Sequence, residues 1–102
     1  MHVISRKALR RFAERHPDAA GPLDRWYELA SRAQWASIAG VRQVWPQADA
    51  VRVASGHAVT VFNVGGNKYR LLAAIHYNRQ KLFVLAMLTH GEYSTGGWKE
   101  QL

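Results

Sequence analysis

Two short runs hold the residue types that could do chemistry. One reads Val61–Phe62–Asn63–Val64–Gly65–Gly66–Asn67–Lys68–Tyr69–Arg70, the other Thr89–His90–Gly91–Glu92–Tyr93. Each closes or opens an apolar, strand-like segment, and together they supply two cations, a histidine and a tyrosine around a glycine turn. Metal-free cleavage of RNA needs such a set. The 2′-hydroxyl must lose its proton, the crowded phosphorane must be neutralised, and the departing 5′ oxygen must be protonated. An imidazole, with its ordinary pKa of about 6.5, suits the proton transfers, and fixed cations suit the phosphorane.

Lys68 and Arg70 are two apart, which on a strand turns both side chains to one face. Tyr69, Leu71, Ala73 and Ile75 occupy the alternate positions and are apolar, so they face the core. The two cations read either as a phosphate clamp or as solvated charges at a strand end. Whether His90 joins them depends on register. A three-residue loop at Asn78–Gln80 sets Lys68 opposite His90, whereas a two-residue loop at Asn78–Arg79 sets His90 opposite Asn67. A slip of one residue exchanges the faces, and the pattern alone does not choose. Trp98, beyond Gly96–Gly97, could stack on a base or plug the C-terminal end of the fold.

The other histidines fit this chemistry less well. His76 shares the parity of Lys68 but lies ~27 Å away along an extended strand. His2, His16 and His57 stand near a terminus, a helix end and a turn. No histidine pair has the spacing of a metal site, and the seven acids are scattered, so no metal and no cofactor are expected. Gly65–Gly66–Asn67–Lys68 lacks the fuller glycine pattern and following helix of a phosphate-binding loop, and reads as a hairpin turn.

These residues need a scaffold, and the hydrophobic periodicity outlines one. His2–Val3–Ile4 is a brief strand, and Ser5 is placed to cap the helix that follows. Ala8, Leu9, Phe12 and Ala13 recur at helical spacing until Pro17 interrupts. Leu23, Trp26, Tyr27, Ala30 and Ala33 form a second stripe, and a third helical piece runs from Ser37 to Trp45 before Pro46. Beyond Pro46 the period changes to two. Strands are expected at Val51–Val53, Ala58–Val64, Tyr69–Tyr77 and Leu82–Thr89, the last apolar on both faces and therefore central. The fold class is α+β: one domain over residues 1–102, with N-terminal helices packed on one face of a small, mainly antiparallel β-sheet.

Composition narrows the functional classes. Fourteen Lys and Arg face seven Asp and Glu, for a formal net charge of +7, and ten of the fourteen cations are Arg. Arg forks onto phosphate better than Lys, so the bias points to a polyanionic or acidic partner. The absence of cysteine excludes disulfides and thiol catalysis. No apolar run approaches the ~20 residues of a membrane span. The N-terminus has charge after a very short apolar stretch, the wrong order for a secretory signal. A cytoplasmic protein with no membrane partner is expected.

Several blocks together resemble a known family. They are Met1–His2–Val3–Ile4–Ser5–Arg6–Lys7–Ala8–Leu9, the pair Trp26–Tyr27, Trp45–Pro46–Gln47–Ala48–Asp49, and the two runs quoted at the outset. In order and across almost the whole chain, they look like the HigB-type toxins of bacterial toxin–antitoxin pairs, mRNA-cleaving members of the RelE-like superfamily. The resemblance implies a RelE-like fold and an endoribonuclease acting on mRNA at the ribosome. It also implies a cognate HigA-type helix-turn-helix antitoxin, through which alone the pair reaches operator DNA. Carried onto this chain, it makes Lys68 and Arg70 contacts to phosphate and transition state, and His90 the general acid or base. Tyr93 would stack or take part in proton transfer, and Asn67 is a further RNA contact. Where relatives often carry an aspartate after the tyrosine, this chain has Ser94. The alternative is a basic module of the same fold that binds RNA or the ribosome without cutting, and a third reading is a domain whose positive surface serves only an acidic partner.

Overall fold

The computed structural model describes all residues, 1–102. The chain begins with strand β1 (His2–Ile4) and helix α1 (Arg6–Arg15). A 3₁₀ turn at Pro17–Ala19 leads into α2 (Ala20–Arg32), followed by α3 (Ile38–Val44). Four strands come next: β2 (Asp49–Arg52), β3 (Ala58–Val64), β4 (Tyr69–His76) and β5 (Lys81–Thr89). Two short helices, α4 (His90–Thr95) and α5 (Trp98–Gln101), close the chain. The α+β class and the order of helices and strands agree with the sequence pattern; α4 and α5 were not legible in it. Ser5 does precede α1, but with φ at 81° and no capping bond from its hydroxyl.

The five strands form one mixed sheet in the order β1-β5-β4-β3-β2. Only the β1–β5 pairing is parallel. The central strand is β4, not β5: residues 69–73 are all buried, so both of its faces are covered. β5 is flanked on both sides but less deeply buried.

The helices cover one face. Leu9 and Phe12 from α1, Leu23, Trp26 and Ala30 from α2, and Val41 from α3 pack against Phe62, Leu71 and Leu82. Phe62 is fully buried within contact distance of Trp26, Trp35 and Trp45, with ring centroids 5.4, 6.3 and 5.5 Å away. Burying each such side chain contributes roughly 1.5–3 kcal/mol, so this face is the main source of stability. The opposite face has a smaller cluster of Val53, Val59, Val61, Leu72 and Trp98.

One irregularity decides how the hairpin β4–β5 presents its end. Near the loop, His76 pairs with Lys81 and Ala73 with Val84; beyond it, Leu72 pairs with Ala86 and Tyr69 with Thr89. Leu85 is the extra residue, 41% exposed, and the bulge exchanges the faces of everything after it. Leu82 and Val84 belong to the helix-side core, whereas Ala86 and Leu88 pack on the opposite cluster.

Candidate active site

The bulge brings His90 to Arg70. The hairpin leaves its loop in the register that would set His90 opposite Asn67. The one-residue shift at Leu85 then moves the pairing so that the ladder ends at Tyr69–Thr89 and the His90 N–H donates to the carbonyl of Lys68 at 2.8 Å. The outcome is that of a three-residue loop, reached through a bulge. His90 also opens α4, whose start is fixed by a capping box. The Thr89 hydroxyl accepts from the Glu92 N–H (3.2 Å), and the Glu92 carboxylate accepts from the Thr89 N–H (2.9 Å).

Arg70 is the centre of the arrangement. It is 8% exposed, and Nη1 donates to the carbonyls of Asn67 (3.2 Å) and Tyr69 (3.1 Å). Nη2 lies 3.2 Å from Nδ1 of His90. A guanidinium only donates, so Nδ1 must accept, and the neutral imidazole then carries its proton on Nε2. None of the three ion pairs in the molecule includes Arg70. A buried cation without a carboxylate pays desolvation with no opposite charge to offset it, and such a site attracts an anion.

Tyr93, half-buried on α4, holds its ring 5.4 Å from the guanidinium carbon, in cation–π range. Its other contact is Trp98, with ring centroids 5.2 Å apart and planes at 18°, and Trp98 Nε1 donates to the Tyr93 carbonyl at 3.0 Å. Arg70, His90 and Tyr93 thus meet on one face of the sheet end. A cation, an imidazole with a free N–H and an aromatic ring can hold a phosphodiester, stabilise added charge on it and donate a hydrogen bond to one of its oxygens.

A family model for HigB toxins, described as the RelE-like toxic component of a toxin-antitoxin system, matches residues 19–96. The chain belongs to this family. Among curated relatives, the mRNA interferase toxin HigB of Escherichia coli K12 is 31% identical over 93 residues, covering 91% of this chain and 88% of that protein. The mRNA interferase HigB of Shigella flexneri matches to the same extent, and that of Escherichia coli O6:H1 is 27% identical over the same span. As the toxic component of such a pair, this HigB-family chain has a cognate antitoxin as partner. No helix in it is long and apolar enough to cross a membrane.

Two expected members of the HigB-family site are placed differently. Lys68 does not share a face with Arg70. It lies in the Gly65–Lys68 turn, before the strand alternation begins, and its Nζ reaches across to Asp18 Oδ2 at 3.1 Å. The two cations therefore form no clamp in this structure. Trp98 is 6% exposed and stacked on Tyr93, so it plugs the smaller cluster and offers no free face for a base. Asn67 is exposed, and it touches the site through its carbonyl, which accepts from Arg70.

The residue that sequence reasoning missed is Asp18. Its carboxylate accepts from the Tyr69 hydroxyl at 2.6 Å as well as from Lys68. The Tyr69 bond, followed by that of Lys68, holds the Asp18 carboxyl below the usual carboxylate range. The same carboxylate pushes the Tyr69 phenol above its ordinary value. Fifty residues separate Asp18 from Lys68, and a polar residue after Pro17 reads as an ordinary turn, so no local signal marks it.

Proposed function

We propose that this chain is a single HigB-type toxin domain that cuts mRNA on the ribosome, without a metal or other cofactor, and so arrests translation in the cytoplasm. Its relatives are named mRNA interferases. The observation that carries the reading is Arg70, a buried guanidinium held by two carbonyls and an imidazole, with no carboxylate beside it. That cation would take the scissile phosphate and stabilise the charge gained when the 2′-oxygen attacks. His90, with Nδ1 accepting from Arg70, presents Nε2–H as a hydrogen-bond donor to a phosphoryl oxygen. As general acid or base it would work with Nδ1 released from Arg70, because a free ring nitrogen is needed to take the 2′ proton. Only the imidazolium so formed can give Nε2–H to the departing 5′ oxygen. Tyr93 would border the nucleotide and take part in stacking or proton transfer. Lys68, at the rim, would contact phosphate if RNA drew it from Asp18, with Asn67 beside it.

The cognate antitoxin is proposed to be of HigA type, with a helix-turn-helix domain that makes the pair's contact to operator DNA. The +7 charge supports both an RNA substrate and an acidic neutralising segment.

Two observations favour the alternative of a non-catalytic RNA- or ribosome-binding module: a single imidazole is bonded to Arg70, and the Lys68 ammonium is already engaged by Asp18. The deciding experiment is induced expression of wild type, Arg70→Ala and His90→Ala at equal protein levels, with the 5′ ends of cellular mRNA mapped. Growth arrest with new mRNA ends only in the wild type is the expected result. Equal toxicity in all three with intact mRNA would overturn cleavage in favour of ribosome occupancy.

A further inference from the structure

We propose that Asp18 is a positioning residue for the Arg70–His90 site, acting from the opposite side of the sheet through the Gly65–Lys68 turn and the start of β4. The inference rests on the ribonuclease reading for its kinetic consequences, but its structural core can be tested without it.

Three consecutive carbonyls build the floor of the site. Those of Asn67 and Tyr69 receive Arg70 Nη1, and that of Lys68 receives the His90 N–H. Whatever orients residues 67–69 therefore orients both functional side chains. The turn does this poorly by itself. Gly65 and Gly66 take φ of 66° and 69°, Gly66, Asn67 and Lys68 are exposed, and the closing Lys68 N–H to Gly65 carbonyl bond is long at 3.4 Å. Exposed backbone with few buried contacts opens easily.

Asp18 supplies the missing constraint. One carboxylate oxygen takes the Tyr69 hydroxyl at 2.6 Å in a part-buried bond, and the other takes Lys68 Nζ at 3.1 Å in an exposed one. Tyr69 is therefore the residue of that floor that Asp18 holds most firmly. Asp18 is itself well founded. It sits in the 3₁₀ turn opened by Pro17, next to the fully buried Ala19. The preceding His16 stacks on Phe12 at 4.4 Å and lies 5.3 Å from the Tyr69 ring. The rigidity of the α1–α2 corner thus passes through Asp18 to the turn, and through three carbonyls to the guanidinium and imidazole. With both oxygens occupied on the far side of β4, Asp18 has no bond to Arg70 or His90.

The test compares wild type, Asp18→Ala and Asp18→Asn by steady-state cleavage of an mRNA on ribosomes, by thermal melting, and by the ¹⁵N imidazole spectrum of His90. Asp18→Ala should stay folded at the assay temperature yet lose on the order of ten- to a hundred-fold in kcat, the scale of a small misplacement, with KM little changed. Asp18→Asn keeps an acceptor for Tyr69 and should recover part of that loss. The His90 ring nitrogens, a fixed acceptor–donor pair in the wild type, should move toward a mixture of tautomers in Asp18→Ala. Wild-type kcat and an unchanged His90 spectrum in folded Asp18→Ala would overturn the proposal, as would a kcat loss that merely follows the unfolded fraction. If the wild type cuts no RNA, the functional reading fails, and the His90 spectrum decides this inference by itself: a shift in Asp18→Ala upholds it and an unchanged spectrum rejects it.

Discussion

On the face covered by α1, α2 and α3 the sheet contributes to a cluster of eighteen buried residues, whereas the other face has a cluster of five, sealed by two helices of six and four residues. The first face is a conventional core with an aromatic centre around Phe62, and the charge that reaches it, the Met1 ammonium, donates to the carbonyls of Ala30, Ser31 and Ala33. The second runs out of apolar cover where Arg70, His90 and Tyr93 meet. A buried cation is costly inside a full core, but at the margin of a thin one its free donor capacity stays within reach of an incoming anion. In the proposed reading, stability and chemistry fall on opposite sides of the same strands. Leu71 packs into the core, and the adjacent Arg70 turns to His90 on the other face.

The sharpest separation should come from Phe62→Ala. Removing a fully buried ring ought to cost about 3–5 kcal/mol in chemical denaturation, while the fraction that stays folded keeps its kcat. A loss of kcat beyond the folded fraction would mean that the two faces are not independent.

Arg70→Ala should do the reverse. Cleavage is expected to fall by about 10²–10³-fold, the scale of losing a preorganised charge-stabilising donor, with little change in the denaturation midpoint. Arg70→Lys should restore only part of the rate, because an ammonium cannot serve two carbonyls and an imidazole in one plane.

Thr89→Ala tests whether the thin face depends on its helix cap. Loss of the hydroxyl that accepts from Glu92 should cost about 1 kcal/mol and speed amide hydrogen exchange at Glu92, loosening the helix that carries His90 and Tyr93.

The smallest expected effect joins the two faces through Asp18. Its folded pKa is depressed, so its contribution to stability is complete above the usual carboxylate range and fades as pH falls through the lowered value. The Tyr69 phenol is shifted upward, so its contribution is complete below its ordinary value of 10.0 and fades as pH rises through the raised one. Melting temperature measured against pH should therefore be flatter at both the acid and the alkaline limb in Asp18→Asn than in the wild type. Parallel curves would remove Asp18 from the account of stability.

Local chemistry made much of this molecule legible before any coordinates. Apolar residues at helical spacing define α1 and α2, and β-branched runs bounded by glycine define β3. Gly65–Gly66 has the positive φ that its hairpin demands. Lys68, Arg70, His90 and Tyr93 were singled out as candidates by residue type and by family resemblance, and the structure brings the last three together. What stayed hidden was non-local: the parallel pairing of β1 with β5, the turn of Lys68 toward Asp18, and the stacking of Trp98 beneath Tyr93. The short C-terminal helices were missed because a helix of four to six residues has too little periodicity to read.

The sequence by itself determined the longer helices and strands and which side chains are fit for phosphate chemistry, because propensity, periodicity and acid–base character belong to residues and their neighbours. Only the tertiary structure decided that His90 faces Arg70. A single extra residue at Leu85 exchanges the two faces of β5, and where a bulge falls depends on how both of those faces pack.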